Sequence, residues 1–234
     1  MKYHIIISLL FLSVGLSQKE FTTSRNIKWV NGVMTETIDT TYLKIEYNIE
    51  HLLERDGVYI KKFSDEIVNG KVFQMFGDMK VPLGKMKDGK KEGKWMVWYD
   101  NGQKELEGTF KDGEVNGLST WWYENGQKRL ETTIKDGKED GVFTSWYENG
   151  QKESEINYKD GKKDGLNNGW YENGQKNWKG TLKDGEQQGL FTYWYENGQK
   201  KVERTFKDGK EDGVFTSWYE NGQKKSEGTL KDGK

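Results

Sequence analysis

A seven-residue string, WYENGQK at Trp146–Lys152, returns in the same or nearly the same form at Trp98, Trp122, Trp170, Trp194 and Trp218, each 24 residues from the last. A second mark, Lys-Asp-Gly, keeps the same interval from Lys87 through Lys111, Lys135, Lys159, Lys183 and Lys207 to Lys231. Strict self-similarity of this kind describes an array in which each unit is one supersecondary element that needs its neighbours to bury its face. Composition agrees, because a chain with 32% apolar and 32% charged residues has little material for one large core. Ten Trp, twelve Tyr and ten Phe at regular places nevertheless exclude a disordered tract.

Both recurring marks contain a hairpin signal. Asn-Gly, as at Asn125-Gly126, and Asp-Gly, as at Asp136-Gly137, are favoured centres of two-residue type I′ turns. Nine residues (Gln127 to Lys135) and then eleven (Lys138 to Glu148) separate the turns, so each unit reads as two strands. Eleven residues are long for a strand, and Gly117, Gly141, Gly165, Gly189 and Gly213 mark bulges or the true start of the longer strand. The fold class that follows is all-β: an elongated, twisted antiparallel β meander built from tandem 24-residue hairpin repeats.

Pairing outward from two-residue turns sets Tyr123 opposite Lys128, Trp121 opposite Leu130 and Gly117 opposite Ile134, then Leu130 opposite Phe143. One face then carries Tyr123, Trp121, Leu130, Phe143 and Ile134 and is the better core face. The other carries Leu118 and Trp122, with Arg129 and Glu131 beside them. The fourth unit reads LNNGWY from Leu166 where its neighbours read VFTSWY or LFTYWY. Asn167 in place of Phe, next to Ser145 and Ser154, makes this junction the expected place of local opening. Residues 135–152 and 207–224 are identical, which points to duplication.

Residues 1–17 read as a secretory signal peptide: Lys2, an apolar run from Ile5 to Leu12, then small residues at Gly15 and Ser17. The expected location is outside the cytoplasm: periplasm, outer cell surface or secreted. Residues 18–51 form a polar preface with strand-like alternation around Tyr42 to Tyr47. Residues 52–89 form a lead-in and a degenerate capping repeat in which Gly84 answers Gly108, and 90–234 form the regular array. The last unit has no visible cap, so its edge strand is open to edge-to-edge self-association.

The inventory for catalysis is thin. There is no cysteine, and His51 is the one histidine beyond the leader, so no nucleophile–base pair can be assembled around a thiol or an imidazole couple. The loop DGKEDG from Asp136 fails as a calcium loop, because its third ligand position is Lys138 and its twelfth is Tyr147. No cofactor or metal is expected. The carboxylates Glu131, Glu155, Glu203 and Glu227 lie among the aromatics and oppose a phosphate backbone, so nucleic acid is not an expected partner. What remains is an aromatic contact surface: Trp98, Trp122, Trp146, Trp170, Trp194 and Trp218, with Trp122 expected opposite Arg129, Trp194 opposite Lys201 and Trp218 opposite Lys225 as cation–π pairs. Specificity is expected in the columns that vary beside the repeated string, at Leu130, Trp178 and Val202.

The unit KDGKxxGxxxxWYENGQKxxEG resembles the bacterial variant of the MORN repeat. The lead-in LLERDGVYIKKFSDEIVNGKV ahead of the array is similar to that of YwqK-type antitoxins, and the resemblance covers residues 52–234. It implies a twisted β meander serving as a binding scaffold, and a toxin as partner. A weaker similarity, to choline-binding cell-wall repeats, is opposed by the Lys-Asp-Gly turn and the period. The expectation is a non-enzymatic, exported scaffold that binds another protein at the cell envelope or outside the cell. The alternatives are an antitoxin that neutralises a toxin partner, and a cell-wall glycan binder using its Trp columns.

Overall fold

The structure, a computed structural model, describes residues 45–234 in full and the strands Phe21–Val30 and Val33–Tyr42 by their backbone. The signal-peptide segment lies outside the described residues. The two backbone-described strands pair with each other from Phe21↔Tyr42 to Val30↔Val33. The preface strands thus precede the Tyr42–Tyr47 stretch, where one strand ends and the short strand Glu46–Asn48 begins.

The rest is all-β, with one long sheet of 17 strands built from the tandem repeats. Glu46–Asn48 runs parallel to Gly70–Phe76. From there every strand pairs antiparallel with the next in the chain: Met79–Lys87, Lys90–Trp98, Lys104–Lys111, Glu114–Trp122, Lys128–Lys135 and so on to Lys224–Leu230. A small separate hairpin joins Leu52–Arg55 to Val58–Lys61.

The two turns differ in geometry as well as in sequence. At Asp136-Gly137 both residues have positive φ (49° and 75°) and Lys135 faces Lys138, as a type I′ turn requires. At Asn125-Gly126 only the glycine does (83°). Gly126 N–H donates to the Tyr123 carbonyl at 2.9 Å, and Tyr123 N–H to the Gln127 carbonyl at 2.8 Å. The loop is therefore a three-residue type I turn closed by a glycine bulge. Asn125 is used through its side chain: Oδ1 accepts from Gln127 N–H at 2.9 Å, and Nδ2 donates to the Glu148 carbonyl of the next unit at 2.9 Å. The register moves by one as a result, and Trp122, not Tyr123, faces Lys128.

The mid-strand glycines do form bulges. Ile134 faces Glu139, but further along Leu130 faces Ser145 and not Phe143, so two extra residues are absorbed around Asp140 and Gly141, whose φ is 115°. This accommodates eleven residues against nine. An insertion of two also preserves side-chain parity. Trp121, Leu130, Ile134 and Phe143 therefore stay on one face, and Leu118 and Trp122 on the other.

Tyr123 does not join the apolar face. Its hydroxyl donates to the Trp146 carbonyl at 2.8 Å, and the same bond recurs from Tyr99, Tyr147, Tyr171 and Tyr195 to Trp122, Trp170, Trp194 and Trp218. Successive turns are thus laced along one edge of the sheet. Burial is the first cause that pushes the Tyr99, Tyr123, Tyr147 and Tyr171 phenols above their ordinary 10.0. Each then holds its proton more tightly folded than unfolded. This contribution to stability is complete below pH 10 and is lost as pH rises through the raised values. The urea midpoint is expected to fall above pH 10, and Tyr147→Phe is expected to reduce that alkaline slope. A slope unchanged by the substitution would contradict the assignment.

The array has no deep core of its own. Its buried positions are mostly small and polar, among them Ser119, Thr120, Thr132, Ser145, Asn168, Thr192 and Thr216. A contiguous apolar cluster lies instead at the N-terminal end, where Tyr47, Leu52, Val68, Val72, Leu83 and Met86 pack with Trp95 of the first regular strand. The fourth unit is filled rather than open. Asn167 is fully buried, donates to the Gly165 carbonyl at 2.9 Å and accepts from Asn157 N–H at 2.7 Å. The volume lost with the phenyl ring is recovered across the strands. Trp178 lies over Gly169, and Phe191, itself buried, lies over Gly180.

Candidate binding surface

The two faces of the array present different chemistry. On the first, large side chains cover one another: Phe143 meets Tyr158 edge-on with centroids 6.4 Å apart, and Phe191 meets Phe206 at 5.1 Å. Leu130, Trp178 and Val202 belong here, each half-buried and directly opposite Trp121, Gly169 and Tyr193. The columns expected to vary beside the Trp string thus lie on the opposite face from it.

On the second face the recurring side chains form three rows across the strands. The first is Leu118, Val142, Leu166, Leu190 and Val214, each just after a bulge glycine and each about half exposed, at 52, 48, 44, 54 and 52%. Strands lie roughly 4.8 Å apart, so one aliphatic group recurs about every 10 Å. The second row alternates carboxylate and hydroxyl everywhere but at Asn168 and Lys179: Glu107, Thr120, Glu131, Thr144, Glu155, Asn168, Lys179, Thr192, Glu203, Thr216 and Glu227 face one another in that order. A lysine three residues earlier holds each glutamate. Lys104–Glu107, Lys128–Glu131 and Lys152–Glu155 are 2.6 Å apart, Lys200–Glu203 2.7 Å and Lys224–Glu227 2.8 Å. The Lys104 ammonium keeps the Glu107 carboxyl below the usual carboxylate range.

The third row holds Trp98, Trp122, Trp146, Trp170, Trp194 and Trp218. All six are half-buried, and none is among the strongly exposed apolar residues. Lys104 stands 5.4 Å over the Trp122 ring, Lys128 over Trp146 and Lys152 over Trp170 at the same distance, and Lys200 5.6 Å over Trp218. These are lysines of the preceding unit. The cations expected over the indoles lie elsewhere: Lys201 is over Tyr195 and Lys225 over Tyr219. The bulge at the Asn-Gly turn is the cause, since it sets Trp122 against Lys128 and leaves Arg129 out of register.

The most exposed apolar side chains of this face are therefore the aliphatic row, bordered by indoles of which four lie under lysines and by ion-paired carboxylates. Its signal was present in the sequence as a Leu or Val after each bulge glycine from Gly117 to Gly213. Among the described residues no group of three or more His, Cys, Asp or Glu is placed to hold a metal ion.

A single-layer β-repeat scaffold with a periodic contact face is the class these features define. The sequence profile described as the MORN repeat variant matches the chain five times, at residues 91–112, 115–136, 139–160, 187–208 and 211–232, and these five segments are similar to MORN-variant repeats. These form a non-catalytic repeat family whose members in general bind proteins or membranes. No curated protein matches the chain.

Proposed function

We propose that this chain is an exported scaffold whose aliphatic face binds another protein at the cell envelope or outside the cell. The observation that carries the binding reading is the row Leu118, Val142, Leu166, Leu190 and Val214, because half-exposed apolar groups aligned at one spacing along a rigid sheet offer a partner repeated points of contact. Protein is favoured over an anionic membrane because the adjoining row carries five glutamates with their lysines already engaged. Export is supported by the leader-like residues 1–17. A toxin as partner is supported by the resemblance of the lead-in alone. A glycan reading has less support, since lysines already lie over four of the six indoles that such a ligand would stack on.

The double variant Val142→Asp/Leu190→Asp should lower recovery of the protein that crosslinks to the wild-type chain in envelope extracts by at least about tenfold, equivalent to about 1.4 kcal/mol. Thermal unfolding close to that of the wild type would show that the sheet is intact. Undiminished recovery would count against this face. Removing residues 1–17 should hold the chain in the cytoplasm, and unaltered fractionation would end the export reading.

A further inference from the structure

The second row has one irregular position. Lys179 stands where every other unit from Glu107 to Glu227 has glutamate. Its direct neighbours across the strands, Asn168 and Thr192, are uncharged. The next carboxylates in the row, Glu155 and Glu203, are two strands away on either side, roughly 10 Å, and are already held by Lys152 and Lys200.

The exchange also displaces a second lysine. By the period of the array Lys176 should pair with a carboxylate at position 179 and cover Trp194, as Lys104 covers Trp122. It instead donates to Asn168 Oδ1 at 3.0 Å and lies 5.6 Å over Trp170, which Lys152 covers as well. Among the described residues no cation lies over Trp194. The fourth unit thus combines two ammonium groups with no carboxylate partner among the described residues, an indole without its lysine, and the exposed Leu166 and Leu190 on either side of the same short strand. It is also the unit that the repeat profile passes over, between residues 160 and 187.

We infer that this unit is the selective site of the face and that it takes an extended, acidic peptide segment of a protein partner. Carboxylates of the segment meet Lys176 and Lys179, and its apolar side chains meet Leu166, Leu190 and Trp194. The inference rests on the reading of this face as a protein-contact surface and adds the chemistry of the partner. In the neighbouring units the aliphatic row is the same, but the lysine three residues before the row position is already held by its glutamate, so charge complementarity at the Lys176 and Lys179 pair fixes the position along an otherwise repetitive face.

The test is fluorescence anisotropy of the full chain with labelled peptides of repeating Glu-Leu-Ser, Gln-Leu-Ser and Lys-Leu-Ser. The glutamate peptide should bind at least tenfold more tightly than the other two, and its affinity should fall with added salt. Lys179→Glu, which restores the regular pattern and its ion pair, should abolish that preference. Glu131→Lys, which copies the exception into another unit, should raise the number of bound peptides from one to two per chain. Equal binding of the three peptides, or a glutamate preference untouched by Lys179→Glu, would overturn the proposal. So would retention on phosphatidylglycerol vesicles that depends on Lys179 without any peptide binding. Failure of all three peptides while envelope crosslinks still depend on Val142 and Leu190 would remove this site and leave the proposed function standing.

Discussion

Trp95→Ala is expected to cost about 3–5 kcal/mol, the range for removing a buried aromatic side chain, and to separate the N-terminal cap from the array. The indole is 5% exposed, packs in the cluster with Leu83 and Met86, and donates Nε1–H to the Lys85 carbonyl at 2.9 Å. It also lies flat on Gly84, where a Cβ would come within 2.6 Å of the ring. The truncation removes this hydrogen bond and leaves a cavity in the cluster. In urea the variant should unfold in two steps, cap first, followed by near-ultraviolet circular dichroism and by hydrogen exchange over residues 45–98. The corresponding change at the half-buried Trp146 should cost markedly less. Equal losses at the two positions would mean that the cap is no more tightly packed than the array.

Gly180→Ala is the second large effect, about 1–3 kcal/mol from overpacking. A Cβ there would lie 2.2 Å from Phe191 Cε1. The ring has nowhere to retreat, because Phe206 already stands edge-on at 5.1 Å. Gly169→Ala faces the same obstacle in Trp178, with a Cβ 2.1 Å from the indole nitrogen. The Gly180→Ala variant should have a lower urea midpoint, and adding Phe191→Leu should recover part of the loss in a double-mutant cycle. Additive losses would show that the glycine is not there to make room for the ring.

These two effects also show how far the sequence could be read. The period, the alternation of long and short strands and the bulge glycines follow from local chemistry, because Asp-Gly and mid-strand Gly have few conformations to choose from. The division into faces survived for a simpler reason: a two-residue bulge does not change parity. What local chemistry did not decide was the Asn-Gly turn. Asn125 satisfies its own loop and the next unit through its side chain, and this choice depends on a neighbouring turn that does not exist until the array is assembled. Tyr123 left the apolar face for the same reason, drawn to a carbonyl 23 residues on. Four of the six indoles of the Trp string lie under lysines that the one-residue shift brings over them, and the more exposed side chains are Leu118 and its equivalents, whose aliphatic side chains look ordinary in a linear text. Asn167 and Gly169, which read as a weak point, are the complement of Trp178 and Phe191 on adjacent strands. Only the strand pairing reveals this.

A photo-crosslinking amino acid placed in turn at Val142, Leu190, Leu130 and Val202 of the whole chain compares the two faces directly in intact cells. A crosslinked protein of the same mass is expected from Val142 and Leu190, and none from Leu130 or Val202. Crosslinks from Leu130 and Val202 alone, or to lipid alone from any of the four, would contradict the proposed contact face.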